Sequence, residues 1–372
     1  MYTSQRECLM FFLCLPVLSC AQQSAASLGA AGQPQPASSS QSPTTSPSLA
    51  PAAVVESSQG SIELNVLVTD KSGKPVSGLG LSDFTLLDNN QPVKILSFHA
   101  IDGTVHTDDP PIKIILLLDT VNVGFQQVAA ERQEIDKYFR QLNGDIGHPM
   151  SIYLFTNDGL KFRPEPSSDG KVLAADLKQV DGQLRTIGRS QGGWGDLELI
   201  LLSIQNLESI ARNEVNSPGR KILIWVGPGW PMLDSTRYQT TSSQEQQELF
   251  NSIVELSTSL RDAHIALYSI SSGQASGGTF LYQDFLKGVK SAPKASPSNL
   301  NLKVLAIQSG GRVLAPSNDL AAEIDSCVKD ADAFYTLRFD PPHPDKPHEY
   351  HDLKVVIGKP GLKALTNTGY YD

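Results

Sequence analysis

Beyond its first 21 residues the chain has one cysteine. Cys8, Cys14 and Cys20 all lie in an N-terminal leader, so the mature protein keeps Cys327 alone and has no second thiol for an internal disulfide. A lone cysteine in an apolar-periodic helix reads as a small buried residue, with a redox or dimer-bridging thiol as the minority reading. A basic excess is lacking as well. With 30 Lys and Arg against 39 Asp and Glu the net charge is −9, so there is no field to hold nucleic acid or an anionic membrane. After the leader, no apolar run approaches the ~18 residues that a membrane helix needs. Three signatures of chemistry are missing: the Gly-x-Ser-x-Gly elbow, the Gly-Lys-Ser/Thr phosphate loop and the Gly-x-Gly-x-x-Gly fingerprint. The Gly-rich "SGQASGG" at 272 to 278 does not lead tightly into a helix and reads as a rim loop. Nothing assembles an acid, a base and a nucleophile, and catalysis is not expected.

What is present divides the 372 residues into five parts. Residues 1 to 21 have Arg6 in a polar start, an apolar run from Cys8 to Val17, and small Ser19, Cys20 and Ala21 at the end. That is the layout of a secretory signal peptide. Cleavage after Ala21 is the first reading. A lipoprotein-type cut before Cys20, leaving a lipid anchor on that residue, is the alternative. Either predicts export to the periplasm or the cell surface. Residues 22 to 58 are rich in Ser, Gln, Ala and Pro and hold one charge, Glu56. Such a segment buries too little apolar surface to offset its ordering entropy, and it reads as a disordered tether.

Residues 59 to 108 alternate with period two ("IELNVLVTD", "FTLLDNNQPVKILSFHAI"), which predicts three or four antiparallel strands with a tight turn at Asp88, Asn89 and Asn90. Residues 109 to 332 alternate strands and helices. The runs "IKIILLLD", "SIYLFTN", "KILIWVG" and "HIALYSI" are apolar almost throughout, as strands covered on both faces of a mostly parallel sheet must be. Helices are expected at 125–142, 170–180, 196–211, 243–263 and 318–328, the last capped by Ser317 or Asn318, with a hairpin at 156–163. Residues 333 to 372 return to strand. The expected fold is a doubly wound α/β unit inserted between the halves of a seven-strand β-sandwich, since pairing the two β segments hides edges that each would otherwise expose.

An open parallel sheet binds ligands at the carboxyl ends of its strands, and Asp119 ends the first core strand. The order of elements resembles a von Willebrand factor type A domain. Specific segments are similar to the bacterial VWFA-related proteins known from Acidobacteria: "LNVLVTDKSGKPVSGLGLSDFTLLDNNQPVKILSF", "PGRKILIWVGPGWP", "LAIQSGGRVLAPSNDLAAEI", "YTLRFDPP" and "LKVVIGKPGLKALTNTGYYD". The resemblance spans residues 60 to 372. It implies a rim that in the family carries a metal-ion-dependent adhesion site: Asp-x-Ser-x-Ser, a threonine and a second aspartate. Residue by residue, Asp119 matches the first carboxylate, but Val121 and Val123 replace both serines. The threonine position falls near Trp194 and Gly195, and the second aspartate position is Gly227.

One carboxylate beside valines does not hold Mg²⁺, which demands near-octahedral oxygen coordination. No cofactor is therefore expected, and Asp119 is expected to accept backbone N–H bonds at the start of the following helix. An altered Mg²⁺ site using Asp119 and Asp196 is the alternative. The binding rim is expected to comprise Asp119, Asn122, Trp194, Asp196 and Trp230, facing an unidentified protein partner. The two tryptophans are read either as exposed anchors or as packed on one another in place of the metal. His343, His348 and His351 in "HPDKPHEYHD" pose a weaker zinc-hydrolase reading.

Overall fold

The computed structural model describes residues 60–103, 111–141, 145–162, 165–179, 193–232, 242–272, 281–344 and 346–372. The expected signal peptide and tether lie outside the described residues.

Among the described residues three sheets organise the chain. The central one contains β5 (Lys113–Asp119), β6 (Asp145–Thr156), β7 (Gly159–Phe162), β8 (Ser167–Asp169), β9 (Lys221–Val226) and β10 (Ile265–Ile270), in the order β10-β9-β5-β6-β7 with β8 also on β6. The pairs β10–β9, β9–β5 and β5–β6 are parallel, while β7 and β8 join β6 antiparallel. The apolar runs follow from burial on both faces. Along β5, Ile114, Leu116 and Leu118 point into one core, while Ile115 and Leu117 point into the other. Helices α1 (Phe125–Gln141), α2 (Gly170–Gln179) and α6 (Leu320–Lys329) cover the first face. Helices α3 (Gly193–Glu214), α4 (Ser243–Asp262) and the short α5 (Leu302–Gln308) cover the second.

Local chemistry sets the helix ends. At the start of α4, Ser242 Oγ accepts the Glu245 N–H while Glu245 returns a carboxylate to the Ser242 N–H. For α6 the cap is Asp319, whose carboxylate accepts the Ala322 N–H, and not Ser317 or Asn318. Ser317 Oγ instead accepts the Asp319 N–H one step upstream. Helix α3 starts three residues earlier and ends three residues later than its apolar pattern indicates. Helix α5, seven residues in "LAIQSGG" and its approach, has too few turns to show a period.

The flanking strands form a sandwich of two four-stranded antiparallel sheets. One holds β13 (Lys363–Leu365), β1 (Ile62–Thr69), β11 (Phe334–Phe339) and β4 (Ser97–Ile101), in that order. The other holds β14 (Gly369–Tyr371), β12 (Tyr350–Ile357), β2 (Phe84–Asp88) and β3 (Gln91–Val93). Among the described residues the count is eight strands and not seven, because the C-terminal "GYY" forms a strand of its own against Tyr350–Asp352. Each sheet mixes strands from before and after the α/β unit. The turn between β2 and β3 holds Asn89 and Asn90 at φ 47° and 66°, left-handed conformations that asparagine tolerates. Alternate residues Leu64, Val66 and Val68 meet Leu337, Phe339, Leu353 and Val355 in the sandwich core. Cys327 is buried under α6, and burial drives its thiol pKa upward, so it stays protonated.

Glu323, in the first turn of α6, has its pKa pushed up to about 7 by burial, with Asp319 adding repulsion, and its Oε2 has no partner. A carboxyl raised in the folded state stabilises the fold fully at pH below its unfolded value. That contribution is lost as pH rises through about 7. Glu323→Gln should therefore flatten the decline in stability between about pH 5 and 8 and stabilise the protein at the upper end. After allowance for solvent screening, we expect about 1 kcal/mol. Urea midpoints across that range, wild type against variant, check it; a parallel pair of curves contradicts it.

Candidate functional site at the carboxyl rim of the central sheet

Strand β5 delivers Asp119 to the carboxyl edge of the sheet, where β6, β9 and β10 also end. There it is fully buried. Its Oδ1 accepts the backbone N–H groups of Val121 at 2.9 Å and Asn122 at 3.0 Å. Its Oδ2 accepts Asn122 Nδ2 at 2.8 Å and the indole Nε1 of Trp225 at 3.0 Å. The backbone donors belong to the turn before α1 and not to the helix itself, which begins at Phe125. Aspartate does this readily because its short side chain reaches the amides two and three residues on. Burial raises the carboxyl pKa, and the four donors oppose that rise.

Trp225 carries no recognisable site signal, yet it completes the Asp119 cradle. It lies fully buried in β9, with its edge toward Phe155 at 5.6 Å and Trp230 at 5.5 Å between ring centroids. A buried indole N–H needs an acceptor, so a tryptophan inside a parallel strand beside an unmatched aspartate was the available clue. Trp230 is packed and not an exposed anchor. It is 2 % exposed, donates Nε1 to the Leu300 carbonyl at 3.0 Å, and offers no surface anchor. Its partner is Trp225. Both Trp194 and Asp196 stand in the first turn of α3, but their side chains lie outside the described residues.

Asn122 links the turn to α3, since its Nδ2 also reaches Ser203 Oγ at 3.2 Å. The carboxylate found within electrostatic reach of Asp119 is Glu131 on α1. Its Oε1 accepts Gln127 Nε2 at 2.9 Å and Ser272 Oγ at 2.8 Å, and its pKa is raised by burial first and by Asp119 among lesser causes.

Gly227 decides the fit of a metal. It sits at φ 138°, and a Cβ there would lie 2.8 Å from Asp119 Cβ. No aspartate side chain fits at the position where the type A pattern places its second carboxylate. Together with Val121, Val123 and an Asp119 whose oxygens are already occupied, this donor set does not suit Mg²⁺. Among the described residues, the exposed part of the rim includes the turn through Gly124 and Phe125, and Pro228 after β9.

The three histidines are not brought together. His343 and His348 are exposed in the loop before β12. His351 is buried in the sandwich, where its Nδ1 bonds Asp88 Oδ1 at 2.9 Å and its ring stacks on Tyr370 at 4.7 Å. Among the described residues no group of three or more His, Cys, Asp or Glu is arranged to hold a metal ion, and no helix is long and apolar enough to cross a membrane.

No family model and no curated protein matches the chain. Among solved structures it is similar to the manganese-loaded TRAP protein of Plasmodium vivax. That likeness has 10 % identity and a TM-score of 0.34, and covers 73 % of this chain and 96 % of that one. A likeness of this size leaves the fold resting on the topology described above, a mostly parallel α/β sheet flanked by antiparallel sheets.

Proposed function

We propose that this chain is an exported, non-catalytic binding module, which contacts another protein through the carboxyl rim of its central sheet without a metal ion. The observation that carries the reading is the saturated Asp119. Four donors occupy its two oxygens, and Gly227 is wedged against its Cβ. A rim built this way is rigid and preorganised, which lowers the ordering cost of binding a partner. It presents Phe125, 58 % exposed, as an aromatic contact beside the turn. The signal-peptide layout of residues 1 to 21 supports export, and the lack of nucleophile and phosphate-loop motifs supports a non-catalytic role.

The test places a photo-crosslinking amino acid at Gly124 or Pro228 on the rim, and at Asn216 beyond the end of α3 as a control on the opposite edge of the sheet. Irradiation in the native cell should give discrete adducts from the rim positions and not from Asn216. Adduct yield should not change when EDTA is added. Equal adducts from all three positions, or none from the rim, contradict the proposal; adducts abolished by EDTA would replace it with metal-dependent adhesion.

A further inference from the structure

Helices α1 and α2 lie side by side on one face of the central sheet, and between them runs a groove. Two adjoining hollows of about 730 and 520 Å³ share Arg140 and Lys178 in their walls, the larger lined along α1 from Phe125 to Gln141 and the smaller lying where Phe139 and Arg140 face the start of α2. Among the described residues five cations line the groove, Arg132, Lys137, Arg140, Lys171 and Lys178, against one carboxylate, Asp136. In a protein of net charge −9 this is a local reversal of sign. Internal pairing absorbs part of it. Arg140 bonds Asp136 at 2.6 and 3.1 Å, and Lys137 bonds Glu134 and Asp319. Among the described residues no ion pair engages Lys171 or Lys178, and both are exposed. Asp136 reports the field of the groove. Its carboxyl is held below the usual range by the Arg140 hydrogen bond first, with Lys178 and Arg132 contributing.

The floor is low and apolar. Ala129, Ala174 and Ala175 leave room where larger side chains would fill the cleft, and exposed Phe125 closes the rim end. Over its 17 residues α1 runs about 25 Å, the length of about seven residues of extended chain. A small anion would touch only one of these two hollows. An extended backbone with carboxylates at intervals matches both the length and the charge of the groove.

We propose that the α1–α2 groove seats an extended acidic segment of a partner protein, with carboxylates against Lys171 and Lys178 and one apolar side chain against Phe125. This rests on the reading that the chain binds protein, and it supplies the chemistry of the partner. The charged contacts set attraction and salt sensitivity, and the Phe125 contact sets register along the groove.

The probe is a fluorescein-labelled peptide of about eight residues, Glu and Asp with one Leu near its end; its Lys-for-Glu/Asp analogue is the control. Fluorescence anisotropy at low ionic strength should show saturable binding of the acidic peptide only, weakening as salt is raised. The double variant Lys171→Glu/Lys178→Glu should weaken it about tenfold or more, two charge contacts being reversed. Phe125→Ala should weaken it a few-fold, whereas Asn216→Ala on the far edge should leave it unchanged. All three variants change exposed side chains, so their thermal midpoints serve as the fold check. No saturable binding, equal affinity for both peptides, or an unaffected double variant overturns the proposal. Binding of a sulfated heparin oligosaccharide, lost in the double variant while the acidic peptide fails, also overturns it in favour of a glycan. Rim adducts without peptide binding would sink the groove alone. Peptide binding without rim adducts would leave the groove and remove the rim.

Discussion

Replacing Asp119 by alanine should destabilise the protein by about 3 kcal/mol, and by the same amount with excess Mg²⁺ and with EDTA. The cost follows from what is left behind. The indole N–H of Trp225 is fully buried in a parallel strand with Asp119 Oδ2 as its acceptor, the Val121 and Asn122 backbone amides lose theirs too, and Asn122 Nδ2 keeps only Ser203 Oγ. Donors stranded away from water cost about 1 to 3 kcal/mol each, less whatever the turn regains by opening to solvent. The double variant Asp119→Ala/Trp225→Phe should recover part of the loss, because it removes one stranded donor. If Asp119 were instead a metal ligand, the wild type would gain stability with Mg²⁺ by mass action and the alanine variant would not. Urea denaturation of the two proteins with each additive separates the two roles, and a Mg²⁺-dependent gap contradicts a purely hydrogen-bonding Asp119.

Restoring the missing carboxylate should not restore a metal site. Gly227→Asp is expected to unfold the protein or to cost about 4 kcal/mol or more, with no saturable heat on titration with Mg²⁺, Mn²⁺ or Ca²⁺. Two effects add. Backbone at φ 138° is open to glycine and strained for other residues, at about 1 to 3 kcal/mol. The new Cβ would also sit 2.8 Å from Asp119 Cβ, an overlap that must push strand β5 or β9 aside, at about another 1 to 3 kcal/mol. A second carboxylate beside buried Asp119 adds repulsion on top. Gly227→Ala isolates the steric part and should lose about 3 kcal/mol by itself. A stable Gly227→Asp protein that binds Mn²⁺ would show that the rim can rearrange into an adhesion site.

Both variants probe a place where the sequence was only partly legible. The aspartate at the end of "IILLLD", with valines where hydroxyls would be needed, was enough to argue against a complete cation shell. The sequence did not reveal that Trp225 is the fourth donor, because Trp225 lies 106 residues away and the pairing exists only once β9 lies beside β5. From its glycine and proline neighbours Trp230 reads equally as an exposed anchor or as packed on Trp194. In the fold it turns inward, since Leu300, Asn301 and Leu302, from a segment with no recognisable pattern, come up beneath it. His351 sits in a Pro/His-rich string that suggests a zinc site, yet strand alternation points it into the sandwich toward Asp88, away from His343 and His348.

The alternation of elements follows from the order of residues, although the eighth sandwich strand and the short helix α5 do not. Period-two segments, near-continuous apolar strands and capped amphipathic helices are local patterns that each hydrophobic face must satisfy, so the alternation of elements follows from burial. Which polar groups meet is settled only by packing in three dimensions. Asp119 with Trp225, His351 with Asp88, and the lysines of α2 with the arginines of α1 are separated along the chain and joined only in the fold. Hydrogen bonds and charge pairs act over a few ångströms of space, a distance that position along the chain does not encode.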